Sequence, residues 1–192
     1  MSGAAGDVGS PTREWDAAVY DRVADPQEAW GREVLDRLPL DGGETVLDAG
    51  CGTGRVTELL RERLPRGRLI GVDASGKMVD QARERLGGRV ELRVVDLIDL
   101  GLDREVDAVF SNAVFHWIAD HERLFERLHA ALRPGGRLAA QCGAEGNVAR
   151  VLEAVRGAYA EGDFADAERP PRGTWNFAGT SETEARLRAA GF

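Results

Sequence analysis

Three glycines in five positions, within "TVLDAGCGTGR" from Thr45 to Arg55, follow a short apolar run and precede a helical stripe at Val56, Leu59, Leu60 and Leu64. An apolar run over Thr45 to Gly50 reads as a strand. Glycine removes the Cβ that blocks tight left-handed turns and the close approach of a ligand to backbone N–H groups. This junction therefore predicts one βα unit with a ligand cradle at its turn, and the remainder of the chain repeats the unit.

"RLIGVD" (68–73) reads as a second strand, followed by a helix carrying Met78, Ala82 and Leu86 that stops at Gly87-Gly88. "VELRVVDL" is a third strand, and Val106 to Phe110 opens a fourth that gives way to a loop reaching Trp117. A helix with the stripe Leu124, Phe125, Leu128, Ala131 and Leu132 closes at Pro134-Gly135-Gly136, and "RLAAQCG" (137–143) is the fifth strand. Strands apolar on both faces and alternating with helices predict a doubly wound α/β fold around a mostly parallel sheet. Further on, a helix is expected through Val151, Leu152, Val155 and Tyr159, and another over 182–190.

Composition fits one domain. The chain has 192 residues, 43 % of them hydrophobic, with a formal net charge of −8. That acidity disfavours duplex nucleic acid, which is held largely by Lys and Arg. The Gly-, Ala- and Ser-rich residues 1–12 have almost nothing to bury and are expected to be disordered. Residues 13–40 read as two helices meeting at Asp25-Pro26, a helical lid on the domain formed by 41–192. No apolar run approaches the ~18 residues of a membrane span, and the start lacks a signal-peptide pattern. A cytoplasmic protein without membrane contact is expected. Cys51 and Cys142 lack the spacing of a metal or disulfide framework, so no metal is expected.

The glycine spacing separates two ligand classes. A dinucleotide fingerprint GxGxxG starting at Gly50 requires glycine where Arg55 stands. The pattern is instead Asp48-x-Gly50-x-Gly52-x-Gly54. Asp73 ends the second strand 19 residues after Gly54, where a carboxylate can accept both hydroxyls of a ribose. "VVDL" ends the third strand at Asp96-Leu97, and an "LRPGG" turn precedes the fifth.

These four motifs, in this order over Val46 to Gln141, resemble the class I S-adenosylmethionine-dependent methyltransferases. Within that family the chain is similar to the small-molecule enzymes of the trans-aconitate methyltransferase type. The likeness includes Trp15, Asp16 and Tyr20, the run Asn112 to His121, and Trp175, Phe177 and Ala190 to Phe192. It implies a Rossmann-like sheet of order 3-2-1-4-5. It also implies S-adenosyl-L-methionine as cofactor, S-adenosyl-L-homocysteine as product, and a small-molecule acceptor: a carboxylate or another O, N or C nucleophile.

By the same resemblance the cofactor contacts fall on Tyr20, Asp48, Gly50, Cys51, Gly52, Gly54, Asp73, Ala74, Met78, Asp96, Leu97 and Asn112. Met78 has an open alternative, since a methionine at helical spacing also suits a core. His116 is the candidate base, with a pocket-shaping role as its alternative. Trp15, His116 and Trp117 are candidates for the acceptor side. Cys51 has no neighbouring base or positive charge in sequence and reads as an inert small residue. His121 and His129 are expected on a helix surface, and Trp30 and Trp175 in the core or between helices.

"SNAV" stands where an amine-methylating "NPPY" motif would, which disfavours nucleobase amines as acceptors. In the family "AGF" leads into a sixth and seventh strand forming an edge hairpin; here the sequence stops at Phe192, and apolar surface is expected beside the fifth strand. A non-catalytic cofactor-binding module acting through a partner chain is the alternative function, and an NAD-dependent oxidoreductase a more distant one. A monomer or homodimer is expected.

Overall fold

The computed structural model describes residues 25–151, 153, 154, 157 and 175–192. Trp15, Tyr20, the expected disordered start and most of the helix expected after Asn147 lie outside the described residues. Five strands form one parallel sheet in the order β3-β2-β1-β4-β5: β1 Thr45–Ala49, β2 Arg68–Asp73, β3 Glu91–Val94, β4 Val106–Asn112 and β5 Leu132–Gln141. The helices are α1 Asp25–Asp36, α2 Arg55–Glu62, α3 Gly76–Leu86, α4 His121–Ala131 and α5 Thr180–Ala190.

Alternation along the strands divides the core into two layers. Val46, Ala108 and Phe110 pack with Leu35 of α1, Leu60 of α2 and Leu86 of α3. Leu47, Ala49, Ile70 and Val72 point the other way, onto Leu124, Phe125 and Leu128 of α4. Successive strand side chains face opposite sides, so each buried strand supplies both layers. Asp48 shares the parity of Val46, which sends its carboxylate towards α1 and α2.

Several expected boundaries move. β4 continues through Ser111 and Asn112, because Asn112 pairs with Gln141 of β5. β5 starts at Leu132 rather than Arg137: the chain rejoins β4 directly after α4, and the register then shifts between Val106↔Leu132 and Ala108↔Arg137. The "LRPGG" segment is thus an irregularity inside the strand, with Gly135 at φ 80.

Three side chains lie elsewhere than expected. His121 is buried, 3 % exposed, because α5 packs on α4 and covers it. Its Nε2–H donates to the Phe115 carbonyl at 2.9 Å, and Arg186 of α5 reaches Nδ1 at 3.5 Å. Trp30 is 43 % exposed and Trp175 42 % exposed, so neither is a core residue. Trp30 borders a groove lined by Leu138, Ala139 and Ala140 of β5 and by the polar Glu33, Arg37 and Gln141. His129 is exposed, as expected.

Candidate active site

The loop between β1 and α2 is folded against the end of β2. Gly50 and Cys51 donate backbone N–H bonds to the Val72 carbonyl at 2.8 and 2.9 Å, and Gly52 donates to Asp73 Oδ2 at 3.0 Å. Asp73 Oδ1 accepts from the Ser75 amide at 2.9 Å. One carboxylate therefore joins the first and second βα loops.

The three glycines serve different needs. Gly50 has φ 90, and a Cβ there would overlap the Val114 side chain. Gly54 has φ 83 and lets α2 start against Ala82 and Leu86 of α3. At Gly52, φ is 53 and no atom lies within 4 Å of where a Cβ would project. Its backbone faces open space, the property that a close-approaching ligand requires.

Asp48 is 2 % exposed and accepts a hydrogen bond from Thr57 Oγ1 at 2.7 Å. Burial pushes its carboxyl up to about 7, with the Asp73 charge adding to the rise and the Thr57 bond opposing it. The Cys51 thiol is raised well above its ordinary value by burial first, then by Asp48 and Asp73. A thiol kept protonated is a poor nucleophile, in keeping with the inert role read from the sequence. Cys51 instead packs on Gly71 of β2, where any Cβ would meet its side chain.

Asp48, Gly50, Cys51, Gly52 and Asn112 line one cavity of about 50 Å3 together with the first turn of α1. Helix α1 is anchored over it by two contacts. Asn112 Nδ2 donates to the Gln27 carbonyl at 2.8 Å, and Arg55 pairs with Glu28 at 2.9 Å. Arg32 and, after the opposing effect of burial, Arg55 hold the Glu28 carboxyl below its ordinary range. Two oxygens here are buried and have no donor: Gln27 Oε1 and Asn112 Oδ1. A buried acceptor without a donor is costly, so this is a place where a donor-bearing guest is favoured.

The other expected residues that lie among the described ones do not line this cavity. Ala74 follows β2, and Met78 is buried, 3 % exposed, in the first turn of α3. Asp96 caps the 3-10 turn Leu97–Asp99 through the Ile98 amide at 3.2 Å, and Leu97 is buried. His116 and Trp117 lie in the 3-10 turn Phe115–Trp117 after β4. The His116 ring stacks on Phe177 at 5.3 Å, and Trp117 meets Trp175 edge-on at 5.6 Å.

Sequence reasoning missed Thr57, Gln27 and Gly71, and it singled out Phe177 only as part of the family likeness, not as the partner of His116. Thr57 had a readable signal. It stands three residues before Leu60 and seven before Leu64, a hydroxyl on an apolar stripe that must find a partner inside. Gln27 follows Pro26 in the first turn of a helix, but nothing in the sequence says what that turn faces. Among the described residues, no three His, Cys, Asp or Glu cluster as metal ligands, and no helix is long and apolar enough to cross a membrane.

Residues 46–136 match the family described as "Methyltransferase domain". The chain is 44 % identical over 127 residues to the trans-aconitate 2-methyltransferase of Azoarcus sp. (strain BH72), a match covering 66 % of this chain and 50 % of that protein. The chain thus spans about half the length of the curated relatives it matches. Two solved structures share its fold. A complex between the Haloferax volcanii Trm112 methyltransferase activator and a methyltransferase matches at TM-score 0.73 and 23 % identity, covering 93 % of this chain and 76 % of that one. The geranyl diphosphate C-methyltransferase of Streptomyces coelicolor A3(2), with S-adenosyl-L-homocysteine bound, matches at TM-score 0.68 and 21 % identity, covering 95 % and 68 %. With the 3-2-1-4-5 sheet and the Asp48 to Gly54 loop, these findings mark residues 46–136 as a methyltransferase domain of the class I, S-adenosylmethionine-dependent kind, similar in sequence to the trans-aconitate enzymes.

Proposed function

We propose that this chain transfers a methyl group from S-adenosylmethionine to a carboxylate of a small organic acid. The observation that carries the cofactor half is the pair of donor-less oxygens, Gln27 Oε1 and Asn112 Oδ1, beside the buried acid Asp48. The space of about 50 Å3 beside Asp48 is ample for an ammonium group. Asp48, Gln27 and Asn112 all line this space, an acceptor-bearing set that suits the ammonium of the methionine end, while the open space beside Gly52 leaves room for the adjoining chain. Asp73 and Asp96, at the ends of β2 and β3, are assigned to the ribose and the adenine amino group. Ala74, Leu97 and Met78 lie along the same edge. Gln27 and Glu28, in the first turn of α1, stand where this helix meets the loop, and Tyr20 is assigned to the cofactor and Trp15 to the acceptor side by the family resemblance alone.

The acceptor half is supported by the named activity of the relatives and by the chemistry it spares. When bound, S-adenosylmethionine supplies a methyl carbon on a sulfonium, and transfer to a carboxylate forms a C–O bond as the C–S bond breaks, cancelling both charges and leaving no proton to remove. The chain's own residues then have to hold, orient and exclude water, which is where positioning contributes most. A cytoplasmic monomer or homodimer fits this role.

The test is calorimetry followed by mass spectrometry. S-adenosylmethionine and its demethylated product are expected to bind near one per chain, with Asp73→Ala abolishing binding. Trans-aconitate and related acids are expected to gain one methyl group. Unchanged binding by the Asp73 variant, or a preference for NAD, refutes the cofactor assignment. Methylation confined to amines or phenols refutes the acceptor assignment.

A further inference from the structure

His116 follows β4 by way of Val114, whose side chain fills the space beside Gly50, so it stands at the loop edge of the sheet. Its ring is fixed on several sides. Phe177 stacks on it with an interplanar angle of 14°, Trp117 lies tilted at 5.0 Å, and its carbonyl accepts from the Asn176 amide at 2.9 Å. The Gly143 amide donates to His116 Nδ1 at 3.1 Å.

That last bond decides the proton. A backbone N–H can only donate, so Nδ1 presents its lone pair and the neutral ring carries its hydrogen on Nε2. Adding a second proton, at Nδ1, would set two N–H groups against each other. Burial and then the neighbouring His121 also hold the ring below the ordinary histidine range. His121 is itself faced by Arg186 and Glu182 of α5 and by Asp120 at the start of α4. A general base needs a free lone pair towards its substrate, and here the one lone pair is already taken by Gly143.

We propose that His116 is a substrate-positioning hydrogen-bond donor, its Nε2–H binding a carboxylate oxygen of the acceptor, and that it takes no proton during methyl transfer. This rests on the carboxylate-methylating reading given above. A neutral N–H donor suits an anionic acceptor, and a ring held by Gly143, Phe177 and Trp117 needs little ordering when the acceptor arrives.

The ring is tested first without any acceptor. Nitrogen-15 spectra of the histidine-labelled protein are expected to show Nε2 protonated and Nδ1 unprotonated at neutral and alkaline pH; a proton on Nδ1 overturns the proposal. Kinetics with trans-aconitate at saturating S-adenosylmethionine come second. His116→Gln, which keeps a side-chain N–H, is expected to retain kcat and KM within about threefold. His116→Phe, which keeps the stack but not the donor, is expected to raise KM for trans-aconitate by about tenfold or more while cofactor affinity holds. In the unsubstituted protein kcat is expected to stay level as pH falls through the histidine range. An acid limb that vanishes in His116→Gln, or an unchanged KM in His116→Phe, overturns the donor role. Should His116→Phe not fold, the Gln variant and the ring spectrum still decide. Cofactor binding without methylation of trans-aconitate or other carboxylates removes the acceptor reading and this role together. No cofactor binding removes the function itself, whatever the ring spectrum shows.

Discussion

Thr57 Oγ1 donates to Asp48 Oδ2 at 2.7 Å, and this one bond ties the buried acid of β1 to the second turn-forming residue after Arg55 in α2. Asp48 is thereby held at the floor of the loop with a carboxyl pushed up to about 7, first by burial. The folded pKa exceeds the unfolded one, so the neutral acid is the form that folding favours. Its contribution is complete below the unfolded value near 4 and is lost as pH rises towards 7, on the order of 4 kcal/mol in all. Asp48→Asn is therefore expected to raise the melting temperature of the cofactor-free protein at neutral pH, by about 2–4 °C for each kcal/mol recovered. Thermal melts at neutral and acidic pH check this, since the gain should vanish in acid.

Cofactor affinity should carry the opposite sign. An ammonium beside Asp48 favours the ionised carboxylate, so binding below the carboxyl's value of about 7 must expel its proton. Affinity is expected to rise with pH, by up to tenfold per unit below about 7, and to level off above it. Calorimetry in two buffers of different ionisation enthalpy measures the proton release, expected to be near one in mild acid and near zero in mild base.

Alanine at Gly50 and at Gly52 should fail in different ways. At Gly50 both the φ of 90 and the overlap with Val114 oppose a Cβ, so loss of the folded state is expected. At Gly52 only the φ of 53 opposes it, a cost of about 1–2 kcal/mol. The Gly52→Ala protein should fold and yet bind cofactor at least tenfold more weakly. Far-ultraviolet circular dichroism beside binding titration separates the two effects.

Gln27→Leu removes an acceptor that has no partner in the unliganded protein. Stability is expected to change little or to rise slightly, because no bond is lost and a stranded oxygen is removed. Affinity for S-adenosylmethionine should fall by about 1.5–3 kcal/mol, the range for a hydrogen bond to a charged group. Denaturant unfolding and calorimetry together test the pair of outcomes.

The glycine loop and the succession of strands and helices were legible because each rests on a local pattern, whereas the strand order followed only from the family resemblance. Glycines at Gly50, Gly52 and Gly54 announce a turn that side chains forbid, and the acidic residues after it mark strand ends. Asp73 was readable as a ligand group but not as a stitch between loops, since its bond to Gly52 depends on two strands lying side by side. His121 was misplaced for a similar reason. Its own helix gives it a polar neighbourhood, and only the return of α5, about sixty residues later, buries it. Trp30 failed in the other direction: helical spacing marks a shared face, yet it cannot tell a covered face from one that borders an open groove.

Asp73 carries a consequence for anyone who alters the cofactor preference. Both of its oxygens already hold amides, at Gly52 and at Ser75, before any ribose arrives. Removing the carboxylate deletes a ligand contact and loosens the cradle in one stroke, so an alanine variant loses affinity on both counts. Retargeting this pocket therefore has to begin by rebuilding the loop's internal fastening, and only then its chemistry towards the guest.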